Sequence, residues 1–174
     1  MAKNFRDLSE QETLALAVSL EETDARIYAD FAAGLKADYP TTAKIFEEME
    51  AEEDEHRRKL IEEYYRRFGE HIPLIRREDV KGFVHRKPVW MIRPLGIKAV
   101  RRQTELMETE TQRFYERAAS KVSEASTRKL LGDLAESERK HVALAENLQH
   151  EYLTPEVEAQ EEKARLTNKP GFRP

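Results

Sequence analysis

The sequence predicts an all-α protein: four long amphipathic helices in a bundle, arranged as two helical hairpins joined by a long crossover. Three observations carry this expectation. Charged residues make up 37% of the 174-residue chain and apolar residues 39%, a balance too charged for a β-sandwich and too apolar for a disordered chain. Only 6 Gly and 7 Pro interrupt it. Apolar residues recur at helical spacing over long stretches. The length suits one domain with a real core and is short for two.

Each helix has its own signal. Ser9-Glu10-Gln11-Glu12 fits a capping box, in which the hydroxyl and the carboxylate satisfy the first free N–H groups. Helix one is expected over about 9–38, with Leu14, Ala17, Val18, Ala25, Tyr28, Phe31, Ala32 and Leu35 on one stripe. Pro40 disfavours helical geometry just before it. Helix two, about 41–68, carries Ile45, Phe46, Met49, Leu60 and Tyr64 and stops at Gly69. Helices three and four are expected over about 97–121 and 124–152, so that residues 8–152 form one domain. Thr154-Pro155 reads as the cap and first residue of a short polar helix within 153–174, the rest being a loose tail.

Residues 69–96 differ from the rest. They hold three of the six glycines, three of the seven prolines and Trp90. From Arg76 to Arg102 there are nine Lys/Arg against two acids, a local charge of +7. Two readings compete: a solvated crossover, or a docking surface for a second subunit or an anionic membrane face. A helix of ~27 residues is about 40 Å long, and this connection can run that full length. Two tight hairpins joined by one long crossover is the ferritin-like form of the four-helix bundle.

Composition also excludes. With no Cys, disulfides, thiolate metal sites and thiol catalysis are ruled out. No apolar run approaches the roughly 18 residues of a membrane span, and Met1–Arg6 does not open a signal peptide. A net charge of −4 argues against nucleic acid as a partner. A soluble, cytoplasmic chain is expected, or one on the cytoplasmic face of a membrane if it is part of a longer protein.

The chain repeats itself. A shift of 87 places Leu20–Tyr28 on Met107–Tyr115, aligning Glu21 with Glu108, Arg26 with Arg113 and Tyr28 with Tyr115. A shift of 85 places Met49 on Leu134, Glu53 on Glu138 and His56 on His141. Helices one and two therefore look like a duplicate of three and four that keeps polar residues as well as core.

Those polar residues sit where apolar ones are expected. Glu21 continues the stripe of helix one. Glu53/His56 and Glu138/His141 interrupt the stripes of helices two and four. Burying unpaired carboxylates costs several kcal/mol each, and no Lys or Arg on those stripes lies at the same level. A metal pair is the economical answer. Each Glu-x-x-His places both side chains on one side of its helix, and two such motifs plus two lone Glu form the di-iron carboxylate bundle arrangement. Four carboxylates balance two divalent ions, and carboxylate with imidazole suits iron or manganese. The metal ligands expected are thus Glu21, Glu53, His56, Glu108, Glu138 and His141, with Glu105 a candidate seventh. The competing reading is a satisfied polar core. Tyr28 and Tyr115, each seven residues after a lone Glu, are read as core with a hydroxyl available to the ligands. Glu22, Glu50, Glu52 and Glu110 are read as surface charge or as carboxylates that draw cations inward.

These paired motifs resemble the rubrerythrin branch of the ferritin-like superfamily over Leu8 to about Tyr152. Arg67–Arg77, Asp79–Phe83 and Pro88–Trp90 resemble the N-terminal domain of membrane-bound ferritins, the erythrin–vacuolar iron transporter fusions. The resemblance implies that Glu53 and Glu138 bridge two metals, that Glu21, Glu108, His56 and His141 are terminal ligands, and that an extra carboxylate at Glu105 or its neighbour joins them. It implies two iron ions per chain, replaceable by manganese or zinc, and no catalytic residue beyond the ligands. It also implies oxidation of Fe(II) by dioxygen or hydrogen peroxide, a homodimer, and a C-terminal membrane transporter domain in a longer protein. Lacking Cys, the chain has no rubredoxin-type centre, and a peroxidase cycle needs an outside reductant. The alternative is a non-catalytic module that senses metal or loads it into a transporter.

Overall fold

The computed structural model describes residues 2–83, 86–92, 96–151 and 159. It is an all-α bundle. Four long helices, α1 (Glu10–Leu35), α2 (Pro40–Phe68), α4 (Ile97–Lys121) and α5 (Ala125–Glu151), pack as the pairs α1·α2 and α4·α5. A one-turn helix, α3 (Val89–Ile92), lies in the crossover. The expected C-terminal helix lies outside the described residues.

The helix ends follow local chemistry. The Ser9 hydroxyl accepts from Glu12 N–H at 3.0 Å and the Glu12 carboxylate accepts from Ser9 N–H at 2.9 Å, closing the capping box. Helix α1 ends at Leu35, three residues before the expected stop. The Leu35 carbonyl accepts from both Asp38 and Tyr39 N–H, turning the chain before Pro40 can object. Pro40 is then the first residue of α2, where its missing N–H costs nothing. Gly69 closes α2 at φ +82°, a conformation that disfavours any side chain. At the second hairpin the Glu124 carboxylate accepts from Thr127 N–H at 2.7 Å, capping α5.

The described part of the crossover carries regular structure. A 3-10 turn at Arg77–Asp79 leads into strand β2 (Val80–Lys81), which pairs parallel with β1 (Lys3–Asn4) near the N-terminus. Val80 and Phe5 are buried where these meet the bundle. Two-residue strands leave no periodicity to read, so residue patterning does not announce them.

The apolar core comes in two blocks. One contains Phe5, Leu14, Leu16, Leu20, Leu60, Tyr64, Phe114 and Leu131; the other contains Tyr28, Phe31, Phe46, Met49, Ile97, Val100 and Met107. Each large side chain so buried stabilises by roughly 1.5–3 kcal/mol. Between the blocks lies a layer of buried acids and imidazoles.

Candidate metal centre

That layer is assembled from all four long helices. Glu21 comes from α1, Glu53 and His56 from α2, Glu108 from α4, Glu138 and His141 from α5, and none is more than 5% exposed. They form two overlapping groups. Glu21, Glu53, His56 and Glu138 bring ligand atoms within 4.8 Å of one another, and so do Glu53, Glu108, Glu138 and His141. Glu53 and Glu138 belong to both.

The orientation of the shared carboxylates is specific. His56 Nδ1 lies 3.2 Å from Glu53 Oε2, 3.3 Å from Glu138 Oε1 and 3.5 Å from Glu21 Oε2. His141 Nδ1 lies 3.4 Å from Glu53 Oε1, 3.6 Å from Glu138 Oε2 and 3.3 Å from Glu108 Oε2. Each shared carboxylate thus turns one oxygen to each imidazole. The two rings stand 6.0 Å apart and nearly parallel, at 22°.

The lone acids are held crosswise. The Tyr28 hydroxyl of α1 donates to Glu108 Oε1, and the Tyr115 hydroxyl of α4 donates to Glu21 Oε1. Burial and the Glu21 charge push Tyr115 well above its ordinary range, so it remains a donor. The other oxygens, Glu21 Oε2 and Glu108 Oε2, lie beside an imidazole without a well-aligned hydrogen bond, and the same holds for Glu138 Oε1 and His141 Nδ1. Buried polar atoms left so poorly paired are costly. Here they all point into one layer, which is what a donor set awaiting cations requires.

Protons take the place of cations in the metal-free protein. Burial, together with the Glu53 charge, raises Glu21 to about 8. Burial and the Glu138 charge raise Glu108 well above the carboxylate range. In Glu53 and Glu138 burial works upward too, but hydrogen bonds from their neighbours outweigh it and both are lowered. Burial works downward on the imidazoles, yet the surrounding carboxylates outweigh it; His56 is pushed up to about 12 and His141 is strongly raised. Two ionised carboxylates and two imidazoliums leave the layer neutral. Divalent ions at the same atoms would replace those protons.

Glu105 is half-buried and lies in neither group, whereas Glu108, one turn later, is in one of them. Two carboxylates read as surface charge are engaged. Glu52 Oε2 lies 2.8 Å from His141 Nε2. Glu110 pairs with Arg77 and, at 3.6 Å, with Arg86 Nη2.

Sequence reasoning missed an ion cluster beside the layer. Asp24, one turn after Glu21, is 4% exposed and receives the Arg86 guanidinium from the crossover, with Thr111 donating to it at 3.2 Å. The stripes carry no cation at this level, but the crossover delivers one. Burial lowers Arg86 to about 10 against the pull of Glu110, Glu21 and Glu138, so it stays charged. The only signal was Asp24 itself, an acid on the apolar stripe four residues before Tyr28.

A family model described as Rubrerythrin matches residues 12–149. No curated protein and no solved structure matches the chain.

Proposed function

This chain belongs to the rubrerythrin family, and we propose that it binds two Fe(II) ions and oxidises them with dioxygen or hydrogen peroxide in the service of iron or manganese homeostasis or export. The observation that supports the reading is the pair of shared carboxylates, each offering one oxygen to either half of the layer. Glu21 with His56 completes one half, and Glu108 with His141 the other.

Two Fe(II) ions held by Glu21, Glu53, His56, Glu108, Glu138 and His141 would supply one electron each, enough to reduce hydrogen peroxide with two protons to two waters. The chain's own residues set the conditions for this. Glu53 and Glu138 fix the spacing of the two positions. Tyr28 and Tyr115 hold the lone carboxylates by one oxygen, leaving the other free. The apolar blocks on either side exclude water and strengthen every electrostatic interaction in the layer. The four protons held on Glu21, Glu108, His56 and His141 leave as the ions enter, keeping the buried charge balanced.

The test is an anaerobic Fe(II) titration of the metal-free protein, followed by hydrogen peroxide or air and read by near-ultraviolet absorbance. Uptake of two ions per chain is expected, with oxidation repeated at each further addition of Fe(II) and oxidant, all lost in Glu53→Ala. Two ions bound without turnover would instead favour the sensing or loading module, and no uptake would refute both.

A further inference from the structure

The two halves of the layer are alike on the inside and unlike on the outside. Each imidazole turns Nδ1 inward and Nε2 outward, and each Nε2 meets a residue of the opposite helix. His141 Nε2 meets Glu52 Oε2 at 2.8 Å, and His56 Nε2 meets Ser137 Oγ at 3.1 Å. Glu52 and Ser137 are equivalent under the shift of 85, each immediately preceding a shared carboxylate. The duplication has therefore kept the contact and changed its chemistry.

The chemical difference is large. A carboxylate only accepts hydrogen bonds, so Glu52 keeps a proton of His141 on Nε2 and makes Nδ1 the nitrogen that would release its proton to a metal. It also adds negative charge behind the ring. A hydroxyl both donates and accepts, so Ser137 enforces neither the tautomer nor the charge at His56. Partners behind a ligating histidine typically change metal affinity by about 10–100-fold. Exposed ion pairs usually contribute little, but here one member, His141, is 4% exposed and Glu52 reaches it from the surface.

We infer that Glu52 is a positioning residue that makes the two metal positions unequal, so that the one beside His141 fills first and more tightly than the one beside His56. The inference rests on the two-ion reading above and adds an order of loading to it. Because Glu52 and Ser137 lie at the outer edge of the layer, both can be exchanged without disturbing the buried carboxylates.

The experiment is calorimetric titration with Mn(II) of the wild-type chain, Glu52→Gln, Ser137→Glu and the double exchange Glu52→Ser/Ser137→Glu. Anomalous diffraction from crystals grown with one equivalent of Mn(II) would locate the first ion. The first ion should bind at least about tenfold tighter than the second and lie beside His141. Glu52→Gln should weaken the first step about 10–100-fold and leave the second unchanged. Ser137→Glu should strengthen the second step, and the double exchange should move the first ion to His56. Two equal steps in the wild type, a first ion beside His56, or a Glu52→Gln effect shared by both steps would overturn this inference alone. No uptake in the wild type would overturn the two-ion reading and this inference with it.

Discussion

The first hairpin (α1 and α2) and the second (α4 and α5) are the same object in the middle and different objects at the edge. In the buried layer Glu21 matches Glu108, Glu53 matches Glu138, His56 matches His141, and the tyrosine bonds cross reciprocally. One turn outward the match ends: Asp24 faces Thr111, and Glu52 corresponds to Ser137. Burial explains the difference. Four carboxylates cannot be removed from water without compensation that is complete and symmetric. Glu52 and Ser137 at the rim have water as an alternative partner and are free to diverge, whereas Asp24 and Thr111 are buried and differ because the crossover brings Arg86 to Asp24.

The largest expected effect separates shared from unshared acids. Glu53→Ala or Glu138→Ala should lower the metal content from two ions per chain to none. Glu21→Ala or Glu108→Ala should remove only one, as elemental analysis after dialysis would read. Equal losses from all four would break the picture of two positions with common bridges.

Next comes the edge charge present in one hairpin alone. Arg86→Ala strands Asp24 in a buried site and should cost about 3–5 kcal/mol in urea unfolding. Asp24→Asn in the same chain should recover much of it. Thr111→Val, on the opposite hairpin, should cost only about 1 kcal/mol. A smaller Arg86 effect would mean that the crossover is not latched through this pair.

Tyr28→Phe and Tyr115→Phe sharpen the symmetry. Each should destabilise by about 1–3 kcal/mol, because each removes one buried donor from an equivalent carboxylate. Unequal costs would show that the hairpins differ inside as well as outside.

The smallest expected effect is on pH dependence, and its sign is set by raised values. Glu21 holds its proton up to about 8 in the folded chain against an ordinary 4.5, and His56 up to about 12 against 6.5. The folded state then carries more protons than the unfolded one, so stability falls as pH rises. Glu21 contributes its decline between about pH 4.5 and 8, and His56 from 6.5 upward. Thermal unfolding of the metal-free protein should therefore shift downward from pH 5 to pH 8. The increment from saturating Mn(II) should grow over the same interval, since the ions need those atoms without their protons.

Much of this was legible in the residues. The four helices follow from apolar periodicity, and the capping box at Ser9 and the stop at Gly69 appear where local chemistry demanded them. The six acids and imidazoles of the layer stood out because they broke apolar stripes at equivalent places in a duplicated chain. What escaped was everything made by the crossover. Arg77 and Arg86 belong to a run whose composition looks solvated, yet Arg77 is buried against Glu110 and Arg86 half-buried against Asp24, while Trp90 of the same run is 73% exposed. Such pairings join residues 33 and 62 apart, and no local period announces them. Glu52 escaped for a different reason: nothing in its neighbourhood on α2 distinguishes it from Glu50, and only the opposite helix gives it a partner.

The central claim is that one pair of carboxylates serves two metal ions at once. Low-temperature electron paramagnetic resonance of the chain loaded with two equivalents of Mn(II) tests it most directly. Carboxylates bridging neighbouring ions should give the multiline spectrum of an exchange-coupled pair, and it should vanish in Glu53→Ala. A spectrum of isolated Mn(II) at full loading would contradict the claim.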